Sequence, residues 1–477
     1  MHEVLVSIVA FIVLVGLMVI VHEFGHFAVA KLCGVRVEAF SVGFGPRLFG
    51  VKIGDTDYKV CLLPLGGFVK MTGETPDTIS GSTPGTPVVA QMAERLAAHD
   101  SDPATQLADD PGAFTSHPRW QRMLIGVAGP ISNFILAFVL MLVYFQFINE
   151  VPAVNSTVLE WVTDGSPAAT AGLQPGDTVL RFGDVANPSM VQIETAAKRS
   201  LDQTVPITVQ RAGNTLSLAL HLPSKTSGKR FNLSQAGIFI QYLQTPIAVD
   251  EVSPNTPAAQ AGLQSGDEIV AVDGHAFHTL EPMVAYLQTG QGKPVTLSVR
   301  RNGALIPPMT VRPVLQDTDW RLGFSRAFPD DIPTRQEPLP FADAVVESKD
   351  FCVDNSTLIV EVLGRILTRK VAVSQLSGPV GIARMAGQAA EMNGWSPKFG
   401  LASAISLNLG ILNLLPFPIL DGGLILLLLI ESVLRHDIGI MVKERIYQAA
   451  FVLLMVFFAF IIFNDVTKLP FFAHLKP

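Results

Sequence analysis

The residues best suited to chemistry are His22, Glu23 and His26, in the segment His22-Glu23-Phe24-Gly25-His26. This is an H-E-x-x-H pattern. On a helix, positions 22 and 26 lie one turn apart on one face. Two imidazoles there can hold one zinc ion, and the glutamate between them can hold the water that the ion activates. The setting is unusual for this chemistry. Residues 4–21, just before the motif, carry no charge, and such a run suits a bilayer. Ionisable side chains in a membrane segment are costly and mark functional sites. A catalytic zinc takes three protein ligands and keeps a fourth position for water. The best third ligand is Asp421, in Asn413-Leu414-Leu415-Pro416-Phe417-Pro418-Ile419-Leu420-Asp421-Gly422-Gly423. This is a carboxylate inside another apolar stretch. Pro416 and Pro418 break the helix, and the two glycines allow another helix to come close. Asp421 also suits a helix cap, and Asn413 suits a hydrogen bond between helices. Asn133 has the same two readings, and bridging helices fits it better than catalysis.

The elements that position these residues are mostly apolar. The chain has 477 residues, of which 49% are hydrophobic and 16% charged, a balance that fits a membrane protein with a sizeable aqueous part. A net charge of −7, with no basic cluster interleaved with aromatics, excludes a nucleic-acid binder. Cys33, Cys61 and Cys352 are few and scattered, which argues against a disulfide framework or a thiolate zinc site. Four segments can span: residues 4–32, 123–148, 399–432 (broken by the two prolines) and a short fourth, 449–463, beginning near Arg445. Lys31, Arg36, Arg47, Lys52, Lys59 and Lys70 follow the first. Arg119 and Arg122 precede the second, and Arg435, Lys443 and Arg445 lie between the third and fourth. Basic loops face the cytoplasm. Both termini and residues 150–395 then face the periplasm.

Residues 58–71 read as two short apolar strands turned at Pro64 to Gly67, a membrane-associated β-hairpin dipping against the helices. Residues 75–111, rich in Thr, Pro, Ala and Asp, read as an exposed loop. Residues 342–366 fit one or two amphipathic helices. The periplasmic stretch holds an internal repeat. Ser166-Pro167-Ala168-Ala169-Thr170-Ala171-Gly172-Leu173-Gln174-Pro175-Gly176-Asp177 returns 90 residues later as Thr256-Pro257-Ala258-Ala259-Gln260-Ala261-Gly262-Leu263-Gln264-Ser265-Gly266-Asp267. That period is too long for a solenoid unit and indicates two tandem domains of one fold. The pattern resembles bacterial PDZ domains, which bind extended peptides at a sheet edge.

With both metal motifs in view, the chain resembles the site-2 protease family of intramembrane zinc metalloproteases. Further points of likeness are Gly43-Phe44-Gly45-Pro46, Leu65-Gly66-Gly67-Phe68-Val69-Lys70-Met71, Ala128-Gly129-Pro130-Ile131-Ser132-Asn133-Phe134 and Leu376-Ser377-Gly378-Pro379-Val380-Gly381-Ile382-Ala383. The resemblance implies zinc (Zn2+) at His22, His26 and Asp421, with Glu23 as general base. It implies that Asn413 engages the substrate backbone and that Pro416 and Pro418 shape the cleft. It implies cleavage, in the bacterial inner membrane, of a single-span membrane protein such as an anti-sigma factor after an earlier periplasmic cut, and of remnant signal peptides.

The expected fold is a multi-pass α-helical membrane protein with four transmembrane helices, the hairpin and two inserted β-rich PDZ domains. The expected parts are an N-terminal membrane part at 1–150, PDZ domains at 151–226 and 236–315, amphipathic linker helices at 335–398 and a C-terminal membrane part at 399–477. Two rival functions use fewer of these features. A non-catalytic membrane-tethered PDZ receptor leaves the buried His and Asp residues idle. A metal transporter needs more than one concentrated ligand set.

Overall fold

The fold is given by a computed structural model, which describes residues 2–73, 110–153, 156–224, 231–316, 319–326, 334–368 and 378–467. The expected loop at 75–111 lies outside the described residues except for Asp110 and Pro111, and so do Leu376 and Ser377. The chain divides into two units, residues 1–148 with 338–477, and residues 149–337.

The first unit is built on helices. Helix α1 (His2–Leu32) has no breaker within it and is apolar on every side ahead of the motif, so it has no polar face to give to water. Its outward side chains, among them Val4, Val9 and Val13, are exposed. Helix α2 (Arg119–Phe147) crosses it closely. A β-carbon on Gly25 of α1 would run into the Ala128 carbonyl of α2, and the Ser132 hydroxyl donates to the Val21 carbonyl at 2.8 Å. Small residues at such a crossing let two backbones meet. Three helices among the described residues are long and apolar enough to cross a membrane: α1 over Val4–Leu32, α2, and the last helix over Met441–Asp465. That last helix runs Ile440–Thr467, well beyond the expected 449–463, because its polar first turns continue the same helix.

The expected third span is two helices. Helices α5 (Ser396–Asn413) and α6 (Asp421–Leu434) have 18 and 14 residues and are separated by residues 414–420. Pro416 and Pro418 cannot donate to a helical ladder, so the chain leaves the helix and turns tightly. The Leu420 N–H donates to the Phe417 carbonyl at 2.9 Å. Gly422 and Gly423 are needed here. A β-carbon on Gly422 would strike the Leu414 and Leu415 carbonyls, and one on Gly423 would strike the Phe417 carbonyl.

Ahead of α5 in the chain lie α3 (Phe341–Leu367), a single helix, and α4 (Pro379–Glu391), both in the stretch 335–398 where linker helices are expected, although apolar spacing marks only the first. Helix α4 packs on α1, where Gly387 lies against Ser7. Its orphan N-terminal amides are met from the last helix, α7 (Ile440–Thr467): Asp465 accepts from the Gly378 and Gly381 N–H groups at 3.0 Å each.

The expected hairpin at 58–71 is part of something larger. Strands β1 (Val37–Ile53) and β2 (Thr56–Met71) are both long and both bent. Phe40 pairs with Tyr58 on one side and Val69 on the other, and Gly50 pairs with Lys59. The two strands thus make a folded sheet of four segments, ordered 47–53, 56–61, 37–42, 67–71. Gly43 and Gly45 supply the positive φ (85° and 89°) at which β1 doubles back. Residues 64–67 are a bend within β2 and do not close a separate hairpin.

The second unit shows the repeat in atomic detail. Ser166 and Thr256 each cap a short helix by accepting from the amide three residues on, Ala169 and Ala259. Asp177 is gripped by the Arg211 guanidinium at 2.6 and 2.7 Å, and Asp267 by that of Arg301 at the same distances. Each arginine also donates to a glycine carbonyl, Gly172 and Gly262. Every pair is offset by the same 90 residues. Each repeat has its own apolar core, one around Phe182 and Leu220, the other around Phe277 and Leu297. One strand serves both. In Leu159–Val162 a bulge lies between Leu159 and Trp161, and it turns Trp161 into the second core while Leu159 and Val162 stay in the first. Strands Glu150–Pro152 and Thr334–Gln336 pair at the ends of the unit.

Candidate metal centre

His22 and His26 follow the apolar part of α1, and the helical repeat turns both toward α2 and α6. Both are buried. Asp421 is the first residue of α6, directly after the proline-broken segment. The three converge. His22 Nε2 lies 3.1 Å from Asp421 Oδ2, His26 Nε2 lies 3.4 Å from Asp421 Oδ1, and the two Nε2 atoms are 3.3 Å apart. Among the described residues, this is the one group of three or more His, Cys, Asp or Glu side chains that could hold a metal ion.

The donor set fits zinc. Ligands at about 2.0–2.1 Å in a tetrahedral shell sit about 3.3 Å from one another. The two Nε2 atoms match that figure at 3.3 Å, and each lies 3.1 or 3.4 Å from one of the two oxygens of the Asp421 carboxylate. Asp421 Oδ2 is buried and receives no hydrogen bond. A buried carboxylate oxygen without a donor is costly unless a cation meets it. His26 is also oriented for ligation: its Nδ1–H donates to the Ile125 carbonyl at 2.8 Å, which leaves the Nε2 lone pair facing Asp421.

Glu23 lies beside this group, within electrostatic range of both histidines and Asp421. The last segment of β2 passes over it, and a β-carbon on Gly67 would stand 3.4 Å from Glu23 Cγ. Asn413, the last residue of α5, reaches in with Nδ2 at 3.1 Å from His22 Nε2. Pro416 and Pro418 lie in the segment between α5 and α6, where Pro418 packs under Gly423. The structure therefore brings His22, Glu23, His26, Asn413 and Asp421 to one place, with both prolines in the adjoining turn.

Sequence reasoning passed over two contributors and read a third, Asn133, as a bridge between helices. The Ile125 carbonyl is backbone and carries no residue signal. Gly129 leaves the space that the His26 ring fills. Asn133 is fully buried, with Nδ2 at 3.1 Å from His22 Nδ1. Its position three residues after Pro130, in a span otherwise nearly free of polar side chains, was the available signal.

The model of peptidase family M50 matches residues 10–457. The chain is 33% identical over 485 residues to the regulator of sigma-E protease RseP of Salmonella typhimurium, an alignment that covers 98% of this chain and 100% of the relative. It is 33% identical over 477 residues to RseP of Escherichia coli, covering 97% and 99%. A Vibrio cholerae protein whose name describes a zinc metalloprotease is 32% identical over 486 residues, covering 98% and 100%.

Proposed function

The chain belongs to peptidase family M50 and is a zinc metalloprotease, and we propose that it cuts single-span membrane proteins inside the bilayer. The observation that carries this reading is the convergence of His22, His26 and Asp421 among apolar helices. In this reading these three hold zinc and Glu23 is the general base. Bound zinc lowers the pKa of a water toward about 7 and polarises a peptide carbonyl. Glu23 takes the proton of the attacking water and passes it to the leaving amine, so one water is consumed and one peptide bond is broken.

A helical substrate hides its carbonyls in its own hydrogen bonds and must unwind first. The segment 67–71 of β2 pairs on one side only among the described strands and runs past Glu23. Its free edge suits an extended substrate segment added as a further strand. Asn413 then holds the substrate backbone, and Pro416 and Pro418 shape the cleft.

The architecture in this reading has four spans: α1, α2, the α5–α6 pair and α7. The pair crosses as two half-helices, because a non-helical break at membrane depth is tolerated where protein surrounds it. Both termini and residues 149–337 lie in the periplasm, and the active site lies toward the cytoplasm. The two repeats are PDZ domains that bind peptides or exclude bulky substrates. Following the sigma-E regulators it resembles, the substrate is an anti-sigma factor trimmed beforehand on its periplasmic side, and remnant signal peptides are a second class.

The test is Glu23→Gln in purified, detergent-solubilised protein, with zinc content and cleavage of a single-span reporter measured together. The expected result is full zinc with no cleavage. Cleavage by the variant at the rate of the unaltered protein, or none by the unaltered protein, overturns the reading.

A further inference from the structure

Asn133 stands behind His22, and its carboxamide shows a mismatch that points to its role. Its Nδ2 lies 3.1 Å from His22 Nδ1, while its Oδ1 is buried with no hydrogen-bond partner. An amide N–H donating to Nδ1 makes that nitrogen an acceptor. The imidazole proton must then sit on Nε2, the atom that faces Asp421 and His26. An Nε2–H has no lone pair for a metal. The neutral imidazole carries one proton, so ligation through Nε2 requires Nδ1–H, and a buried Nδ1–H requires an acceptor.

We propose that Asn133 is a positioning residue for zinc: its amide oxygen accepts the His22 Nδ1–H and fixes the tautomer that ligates. The two ends of a carboxamide have the same shape, so a half-turn about Cβ–Cγ puts Oδ1 where Nδ2 stands. That half-turn gives the orphaned oxygen its partner and takes the imidazole proton off His22 Nε2, whose lone pair then faces Asp421, His26 and the Asn413 amide nitrogen. The backbone is already held for this. The Asn133 carbonyl accepts from the Ser406 hydroxyl at 2.8 Å, which ties α2 to α5 behind the site. The arrangement completes a symmetry of function at the centre. His26 donates its Nδ1–H to the Ile125 carbonyl of α2, and His22 donates its own to a side chain of the same helix two turns on. Helix α2 thereby sets both imidazoles through their outer nitrogens, a role that commonly tunes metal affinity by about 10–100-fold.

The inference rests on His22 being a zinc ligand, and the experiment separates the two claims. Zinc affinity is measured by competition with a chromophoric chelator for the full chain in detergent, unaltered and as Asn133→Asp and Asn133→Leu. Cobalt absorption bands report the coordination shell in each. Asp keeps an acceptor at the same place, and Leu keeps the volume without one. Expected affinities are within about 3-fold of the unaltered protein for Asp and about 10–100-fold weaker for Leu. Cobalt bands should be intact for Asp and altered for Leu. Unchanged affinity with Leu, or equal loss with both, overturns the role of Asn133. Failure of the unaltered protein to bind zinc overturns the ligand assignment beneath it. Where Asn133→Leu does not fold, Asn133→Ala takes its place: the same loss of affinity supports the role, and unchanged affinity overturns it.

Discussion

Gly129 of α2 lies flat against the imidazole of His26, so that a β-carbon on the glycine would overlap the ring at Cδ2, Cε1 and Nε2. The contact is between a helix backbone and a candidate ligand, with the Ile125 carbonyl one turn away fixing the other side of the same ring. Gly129→Ala should therefore push Nε2 off the Asp421 carboxylate and weaken zinc binding by at least about 10-fold. Gly126→Ala is the control, since its β-carbon would meet nothing closer than the Ile425 side chain at 3.4 Å. Equal zinc affinity in the two variants, measured by chelator competition, would show that Gly129 does not shape the site.

Asp421 supplies the one carboxylate in the cluster. Asp421→Ala should release the metal, so that elemental analysis finds little zinc in a protein that still folds. Full zinc occupancy in that variant rules Asp421 out as a ligand.

The α5–α6 turn places Asp421 through two glycines. Gly422→Ala and Gly423→Ala would each force a methyl group into backbone carbonyls, a clash with no flexible neighbour to relieve it. Overpacking of this kind costs about 1–3 kcal/mol. Each variant should melt earlier and bind zinc more weakly, and unchanged melting in both would show that the turn is not held as described.

The second unit should lose stability in acid through its buried Asp267–Arg301 pair. Arg301 holds the Asp267 carboxyl below the usual carboxylate range, with the Gln264 N–H assisting against the cost of burial. A depressed folded pKa stabilises the fold at any pH above the unfolded value, about 3.9, and that stability drains away as pH falls through the folded value. Asp267→Asn should cost about 1–3 kcal/mol at neutral pH and much less in strong acid. Tryptophan fluorescence from Trp161 and Trp320 reports the unfolding. A neutral-pH cost no larger than the acid cost would refute the pairing.

Residues 149–337 should act as a size filter. Pro152 pairs with Thr334 at the ends of that unit, so residues 153–333 can be replaced by a two-residue Asn-Gly turn. The shortened protein should cut a reporter that keeps a folded periplasmic domain, which the full chain should spare. Continued sparing by a folded, zinc-loaded deletion protein would end the filter idea.

Much of the site was legible from residue order alone. The helical repeat puts His22 and His26 on one face whatever surrounds them, and apolar flanks make their charge chemistry conspicuous. A buried acid next to a proline-broken helix stands out for the same reason, and so does a 90-residue repeat. The fold was legible less evenly. Period and composition can tell that residues 58–71 are β-rich, but strand β1 and its doubling at Gly43 and Gly45 depend on a pairing in which Phe40 has neighbours on both sides. Helix α4 had no bounds of its own within the expected linker at 335–398, because its place depends on α1 beneath it and on Asp465, 84 residues beyond Gly381, to cap it.

The sequence by itself determined the candidate ligand types, their helical spacing and the apolar character of the flanking segments, since these follow from local geometry and transfer energies. Only the tertiary structure decided that Asp421 stands 3.1 Å from a nitrogen 399 positions earlier in the chain, that Gly129 is the floor under His26, and that Asn133 faces the outer nitrogen of His22. Those are relations between helices, fixed by packing at a crossing. No repeat in the order of residues encodes which carbonyl or carboxamide a ring nitrogen will meet.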